Sequence, residues 1–197
     1  MTATIEPSAL PDPETMSWTV DRYQAAIEGN IIREDDRVEL LFGTIIKKMP
    51  ASEPHGACID IIREYFTERY FKQYSLRSES AVRLPNDSLP EPDFTVAAYR
   101  KDHYANGFPE PAAIYLLIEV AESSLKIDRT IKTRAYAHSA IAEYWIVNLK
   151  QRQLELHLQP DPGSQSFRQV LHFTEEETFV SPFAGKVAVS DLLPSVS

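Results

Sequence analysis

One carboxylate interrupts the longest apolar run of the chain, Ile114-Tyr115-Leu116-Leu117-Ile118-Glu119-Val120-Ala121. Burying an ionised carboxylate is costly unless a cation, a metal or strong donors compensate. Stability alone rarely places a Glu there. A second acid, Asp93, opens the strand-like segment Pro92-Asp93-Phe94-Thr95-Val96-Ala97-Ala98, and Lys132 lies on the helix-like stretch after Glu119. Two acids and a lysine at the ends of adjacent strands and a helix suit metal-assisted phosphodiester cleavage. That chemistry needs hard oxygen ligands for Mg²⁺ or Mn²⁺, and a cation near the attacking water or the developing charge. Asp93 and Glu119 supply ligands if their strands are neighbours, and the backbone carbonyl of Val120 offers a further oxygen. Lys132 supplies the cation if its helix folds back over that end of the sheet.

Each residue also has a plainer reading. Glu119 can end a strand by accepting from a helix terminus, and Asp93, after a proline, can cap a turn. Lys132 can pair on the surface with Asp128 at i, i+4, and Asp128 itself reads as a helix N-cap rather than a ligand. His55, near a helix start, can be a base, a phosphate contact or a structural residue. Tyr136 can contact phosphate or pack, and packing is the commoner fate. Glu122 and the pairs Lys47-Lys48 and Arg100-Lys101 read as solvated. His103, His138, His157 and His172 lack metal-ligand spacing.

The elements that must position these residues follow from pattern. Thr19 caps a short helix ended by Gly29. Residues 37–41 and 44–49 form a hairpin turned at Phe42-Gly43. An amphipathic helix runs from about His55 to Tyr74, with Cys58, Ile62, Tyr65, Phe66 and Tyr70 on its apolar stripe. Glu79 to Leu84 reads as a strand, then come the Asp93 and Glu119 strands with a long polar loop between them. A helix from Asp128 to about Ser139 sets Asp128, Lys132 and Tyr136 on one face. Strands at Glu143–Asn148, Leu154–Leu158 and Gln169–Phe173 follow, and Val187–Val189 forms an edge strand. The order is α/β, a mixed central sheet flanked by helices with extra strands at the C-terminus.

The 197 residues, 43% hydrophobic, fit one domain over 16–197, with 1–15 as a flexible, proline-containing arm. No stretch approaches the roughly 18 apolar residues of a membrane helix. One cysteine, Cys58, excludes an intrachain disulfide and cysteine-cluster zinc, and points to a buried core residue in a cytoplasmic protein. The net charge of −9 argues against broad coating of nucleic acid. It leaves room for a nuclease, whose clustered acids are offset by divalent ions.

Six segments in order carry a resemblance: Glu39-Leu40-Leu41-Phe42-Gly43; His55; Pro90-Glu91-Pro92-Asp93; Ile118 to Leu125; Asp128 through Lys132 to Tyr136; and Glu143-Tyr144-Trp145-Ile146-Val147. Together they resemble the Uma-type (Uma-two) family of restriction-endonuclease-like proteins in the PD-(D/E)XK superfamily. The superfamily's basic pattern has a lysine two residues after the second acid, where this chain has Ala121. The resemblance implies a PD-(D/E)XK fold with Asp93 and Glu119 as metal ligands and the lysine role moved to Lys132. Glu39 and His55 match recurrent family positions. The implied protein is an Mg²⁺- or Mn²⁺-dependent endonuclease acting on DNA, expected as a homodimer because cutting both strands of a duplex usually needs two sites. Its rivals are a catalytically silent binding or assembly module on the same fold, and hydrolysis of a non-nucleic phosphoester.

Overall fold

The computed structural model describes residues 16–85 and 87–195, so the expected arm at 1–15 lies outside the described residues. Helix α1 (Val20–Glu28) starts where the Thr19 hydroxyl accepts the N–H of Arg22, and it stops at Gly29. Strands β1 (Val38–Leu41) and β2 (Thr44–Lys47) form the expected antiparallel hairpin. Its turn residues Phe42 and Gly43 both have positive φ, 49° and 68°, which matches the twist of a two-residue hairpin. A Cβ on Gly43 would stand 2.9 Å from the Trp18 carbonyl oxygen, so the close passage of the chain also requires glycine.

Helix α2 (Glu53–Tyr70) is capped by Ser52 and buries Cys58, Ile59, Ile62, Tyr65 and Phe66. A six-stranded sheet follows in chain order: β3 (Tyr74–Ser78), β4 (Phe94–Ala98), β5 (Ile114–Ala121), β6 (Glu143–Asn148), β7 (Gln153–Asp161) and β8 (Ser166–Thr174). Among the described strands of this sheet, β5 and β6 alone run parallel. The helical crossover between them consists of α3 (Leu125–Ile127), a π-helical turn (Asp128–Lys132) and α4 (Thr133–His138). A small hairpin, β9 (Thr178–Ser181) and β10 (Gly185–Ala188), completes the chain with a 3₁₀ turn at Val189–Leu192. The architecture is the expected mixed α/β sheet between helices.

Alternation along β5 sorts the core into two layers. Leu116, Ile118 and Val120 pack with Cys58, Ile62 and Phe66 of α2 and with Trp145. Leu117 and Ala121 pack with Ala135 and Tyr136 of α4 and with Tyr144 and Ile146 of β6. Glu119 has the parity of Leu117 and Ala121, so it faces the crossover helix.

Three local expectations need correction. The helix expected to reach Tyr74 ends at Tyr70, where the chain reverses through Lys72 at φ 60°, and Tyr74 opens a strand. Glu79 to Leu84 is not a strand. Its amides reach Pro90, Pro109 and Ser88 carbonyls irregularly, and prolines on the facing segment have no N–H to return. Asp128 is no N-cap: it lies inside the crossover helix, three residues past its start.

Candidate active site

The β4–β5 register pairs Phe94 with Ile118, and one step further places Asp93 opposite Glu119 on the same face of the sheet. Asp93 is fixed there because its Oδ2 accepts the Val120 N–H at 2.7 Å. The Val120 side chain, fully buried, packs on the opposite, α2 face.

The crossover helix brings Lys132 down onto this pair. Its Nζ lies 2.9 Å from Glu119 Oε2 and 3.5 Å from Glu39 Oε1, with all three side chains at most 7% exposed. Lys132 is therefore a buried cation between two strands, not a surface partner of Asp128. Tyr136, one turn further on, donates its hydroxyl to Glu119 Oε1 at 2.6 Å. It packs and also fixes the carboxylate, from behind the cleft. Glu39 enters from the β1–β2 hairpin, where its Oε2 accepts the Glu91 N–H at 3.3 Å. His55, in the first turn of α2, sets its Nε2 3.3 Å from Asp93 Oδ2.

Asp93, Glu119, Lys132, Glu39 and His55 thus line one cleft, with about 60 Å³ of room for water-sized species. Asp128 lines it too, at 1% exposure. Pattern gives Asp128 an i, i+4 spacing to Lys132, a capping role and a place in a family segment; its burial comes from tertiary packing. At the rim Lys48 pairs with Glu91 at 2.8 Å, and the Ser52 hydroxyl donates to Glu122.

The electrostatics follow from four carboxylates facing one lysine and one histidine. Burial pushes the Glu119 carboxyl up, the nearby acids add to this, and Lys132 pulls it down. Burial works against the charge on Lys132, but Glu119, Glu39, Asp128 and Asp93 outweigh it and hold the ammonium protonated. The hydrogen bond to Asp93 raises His55 against the opposing effect of burial. Among the described residues no three acid, histidine or cysteine side chains converge as a ready-made metal cage. The donors are hard oxygens with excess negative charge, and one buried Asp128 oxygen lacks a partner. Such a set fits a cation held by two carboxylates, with a carbonyl and waters completing its shell.

Comparisons with known proteins identify the family and the fold. The family model described as "Uma2: Putative restriction endonuclease" matches residues 20–188. A solved structure, a putative nuclease of the DUF820 group from Anabaena variabilis, superposes with a TM-score of 0.66. It is 16% identical, and the match covers 88% of this chain and 96% of that one, which shows a shared fold. No curated protein matches. No helix among the described residues is long and apolar enough to cross a membrane. Matched over most of its length, the chain belongs to the Uma2 family of putative restriction endonucleases.

Proposed function

We propose that this protein is a divalent-metal-dependent endonuclease that hydrolyses phosphodiester bonds in DNA, with the cleft as its active site. The observation that carries the reading is the buried Lys132 ammonium, 2.9 Å from Glu119, on the sheet face that also holds Asp93. Asp93 and Glu119, with the Val120 carbonyl, are the groups that would hold Mg²⁺ or Mn²⁺. When bound, such an ion polarises the scissile phosphate and makes a water more acidic. Lys132 donates to phosphate oxygens as charge builds on them, a preorganised contact in a site with little water to screen it. Glu39 steadies the ammonium from the opposite side. Tyr136 holds Glu119 in one rotamer, and His55 with the Val120 N–H holds Asp93.

The net charge of −9 disfavours a wide phosphate footprint, so binding rests on the ion and a few contacts near the cleft. Cutting both strands of a duplex then calls for a homodimer in the cytoplasm, where such substrate is met. Supercoiled plasmid incubated with Mg²⁺ or Mn²⁺ tests the reading. The wild type nicks or linearises it, EDTA stops the reaction, and Asp93→Ala and Glu119→Ala each slow it by at least about 100-fold. Equal cleavage by these variants removes the site. No cleavage with either ion, together with no Mn²⁺ uptake by calorimetry, favours a silent module on this fold.

A further inference from the structure

We infer that Asp128 is the catalytic base of the cleft, the carboxylate that holds the attacking water and takes its proton. The inference rests on the hydrolytic reading above and adds a residue to it. Asp128 Oδ2 accepts the Ser124 hydroxyl at 2.6 Å, whereas Oδ1 is buried with no hydrogen-bond partner in the protein. An unpaired buried acceptor is costly. The cleft it lines has about 60 Å³ of room, against the ~10–15 Å³ that one water needs. Oδ1 is sealed from solvent in this conformation, and a water that reaches it as the cleft lining moves satisfies that oxygen.

The other acids that face Lys132 or the proposed metal-binding end are engaged by protein groups at one or both oxygens. Glu119 is held at both oxygens by Lys132 and Tyr136. Glu39 is held at both by Lys132 and the Glu91 N–H. Asp93 Oδ2 serves the Val120 N–H and His55. Among the described carboxylates, Asp128 alone keeps a buried oxygen without a partner.

The backbone is distorted around this residue. Its carbonyl accepts the Thr133 N–H in an i→i+5 bond, the Thr133 hydroxyl at 2.7 Å and the Tyr144 hydroxyl at 3.3 Å. Such π-turns recur at functional positions. Here the turn spans both Asp128 and Lys132. The charged groups around the carboxylate are Lys132 on its own turn, Asp93 before β4, Glu39 on β1 and Glu119 on β5, with the Tyr144 phenol from β6. Burial pushes the Asp128 carboxyl up to about 6, with Lys132 and Ser124 opposing. It is thus ionised at neutral pH yet basic enough to accept a proton.

In the step, an O–H bond of the water breaks and its proton goes to Asp128 Oδ1 as the water oxygen bonds to phosphorus. The bond from phosphorus to the leaving sugar oxygen breaks, and that oxygen takes a proton from solvent. Asp128 then returns its proton to solvent.

The test is single-turnover plasmid cleavage by the full chain with Mn²⁺ from about pH 5 to 9, alongside Mn²⁺ calorimetry and thermal melting. Asp128→Asn keeps the shape and the Ser124 contact. Loss of a base predicts cleavage at least ~100-fold slower, loss of the acid limb of the pH profile, and unchanged Mn²⁺ affinity. If that variant melts early, Asp128→Ala with added formate decides: restored cleavage supports the base, and no restoration overturns it. Asp128→Asn within about threefold of wild type, or with an unchanged acid limb, overturns the inference while leaving the nuclease reading standing. Loss of Mn²⁺ binding in step with activity also overturns it, making Asp128 a ligand. A wild type that never cleaves overturns both together.

Discussion

Replacing Lys132 by Met keeps an unbranched side chain of similar length and removes the ammonium, leaving Glu119 and Glu39 buried without their shared cation. At the observed 2.9 and 3.5 Å and an effective dielectric constant of about 20, the two attractions are roughly 6 and 5 kcal/mol before desolvation is set against them. The net loss on removing one partner of a buried pair is smaller, about 3–5 kcal/mol. Against a total stability of about 5–15 kcal/mol, that loss is large. Urea unfolding at pH 7 reads it as a lower midpoint with an unchanged slope. Glu119→Gln in the same background removes the stranded charge. The double variant is then more stable than the sum of the single losses by at least about 1 kcal/mol. Burial already raises the folded-state Glu119 carboxyl above its unfolded value of about 4.3, with Lys132 opposing, and Lys132→Met removes that opposition and raises it further. The folded chain then binds more protons than the unfolded one in that window, so stability falls as pH rises through it. The deficit of Lys132→Met widens as pH rises through the wild-type Glu119 value, where only the variant still holds the proton. A loss below about 1 kcal/mol, or strict additivity with Glu119→Gln, would refute the buried-pair argument.

Other outcomes follow from single contacts. Gly43→Ala places a Cβ at φ 68° and 2.9 Å from the Trp18 carbonyl oxygen, and costs about 2–3 kcal/mol, read by calorimetry as a fall in Tm of about 5–10 °C. An unchanged Tm would mean the hairpin does not pass Trp18 so closely. The Cys58 thiol donates to the Leu192 carbonyl at 3.1 Å, and burial pushes it up to about 12. Iodoacetamide at pH 8 therefore labels the folded chain far more slowly than the chain in guanidinium, and equal rates contradict the packing. Burial pushes the Glu155 carboxyl up, but His157 and Arg129 outweigh it and hold it below the ordinary range. Its contribution to stability is present above the unfolded value and is lost as pH falls through the depressed one. Glu155→Gln thus loses less stability than wild type between pH 7 and about pH 3 in denaturant titrations, and parallel losses refute the assignment.

Residue pattern carried much of the site. Glu119 was visible because a charge inside an eight-residue apolar strand violates the rule for buried strands, and Asp93 because it opens the neighbouring one. The Phe42-Gly43 turn was legible because few residues other than glycine tolerate its second position. The 79–84 segment deceived because Val82 and Leu84 are buried at strand spacing, although the ladder is broken by prolines far away in sequence. Asp128 deceived because a polar residue at the apparent start of a helix satisfies the capping rule, and the true start three residues earlier carries no strong signal.

The sequence by itself determined which chemistry was available: two strand-end acids, a lysine one helix on, and one buried thiol, set by residue type and short-range period. Only the tertiary structure decided what those groups do to one another. The parallel β5–β6 pairing forces the crossover helix back over the sheet, and that return buries Lys132 between Glu119 and Glu39. The same packing turns Asp128 from a plausible cap into a carboxylate with one oxygen left over. The second counter-charge on Lys132 comes from Glu39, 93 residues earlier in the chain, a distance over which helical and strand periods carry no information.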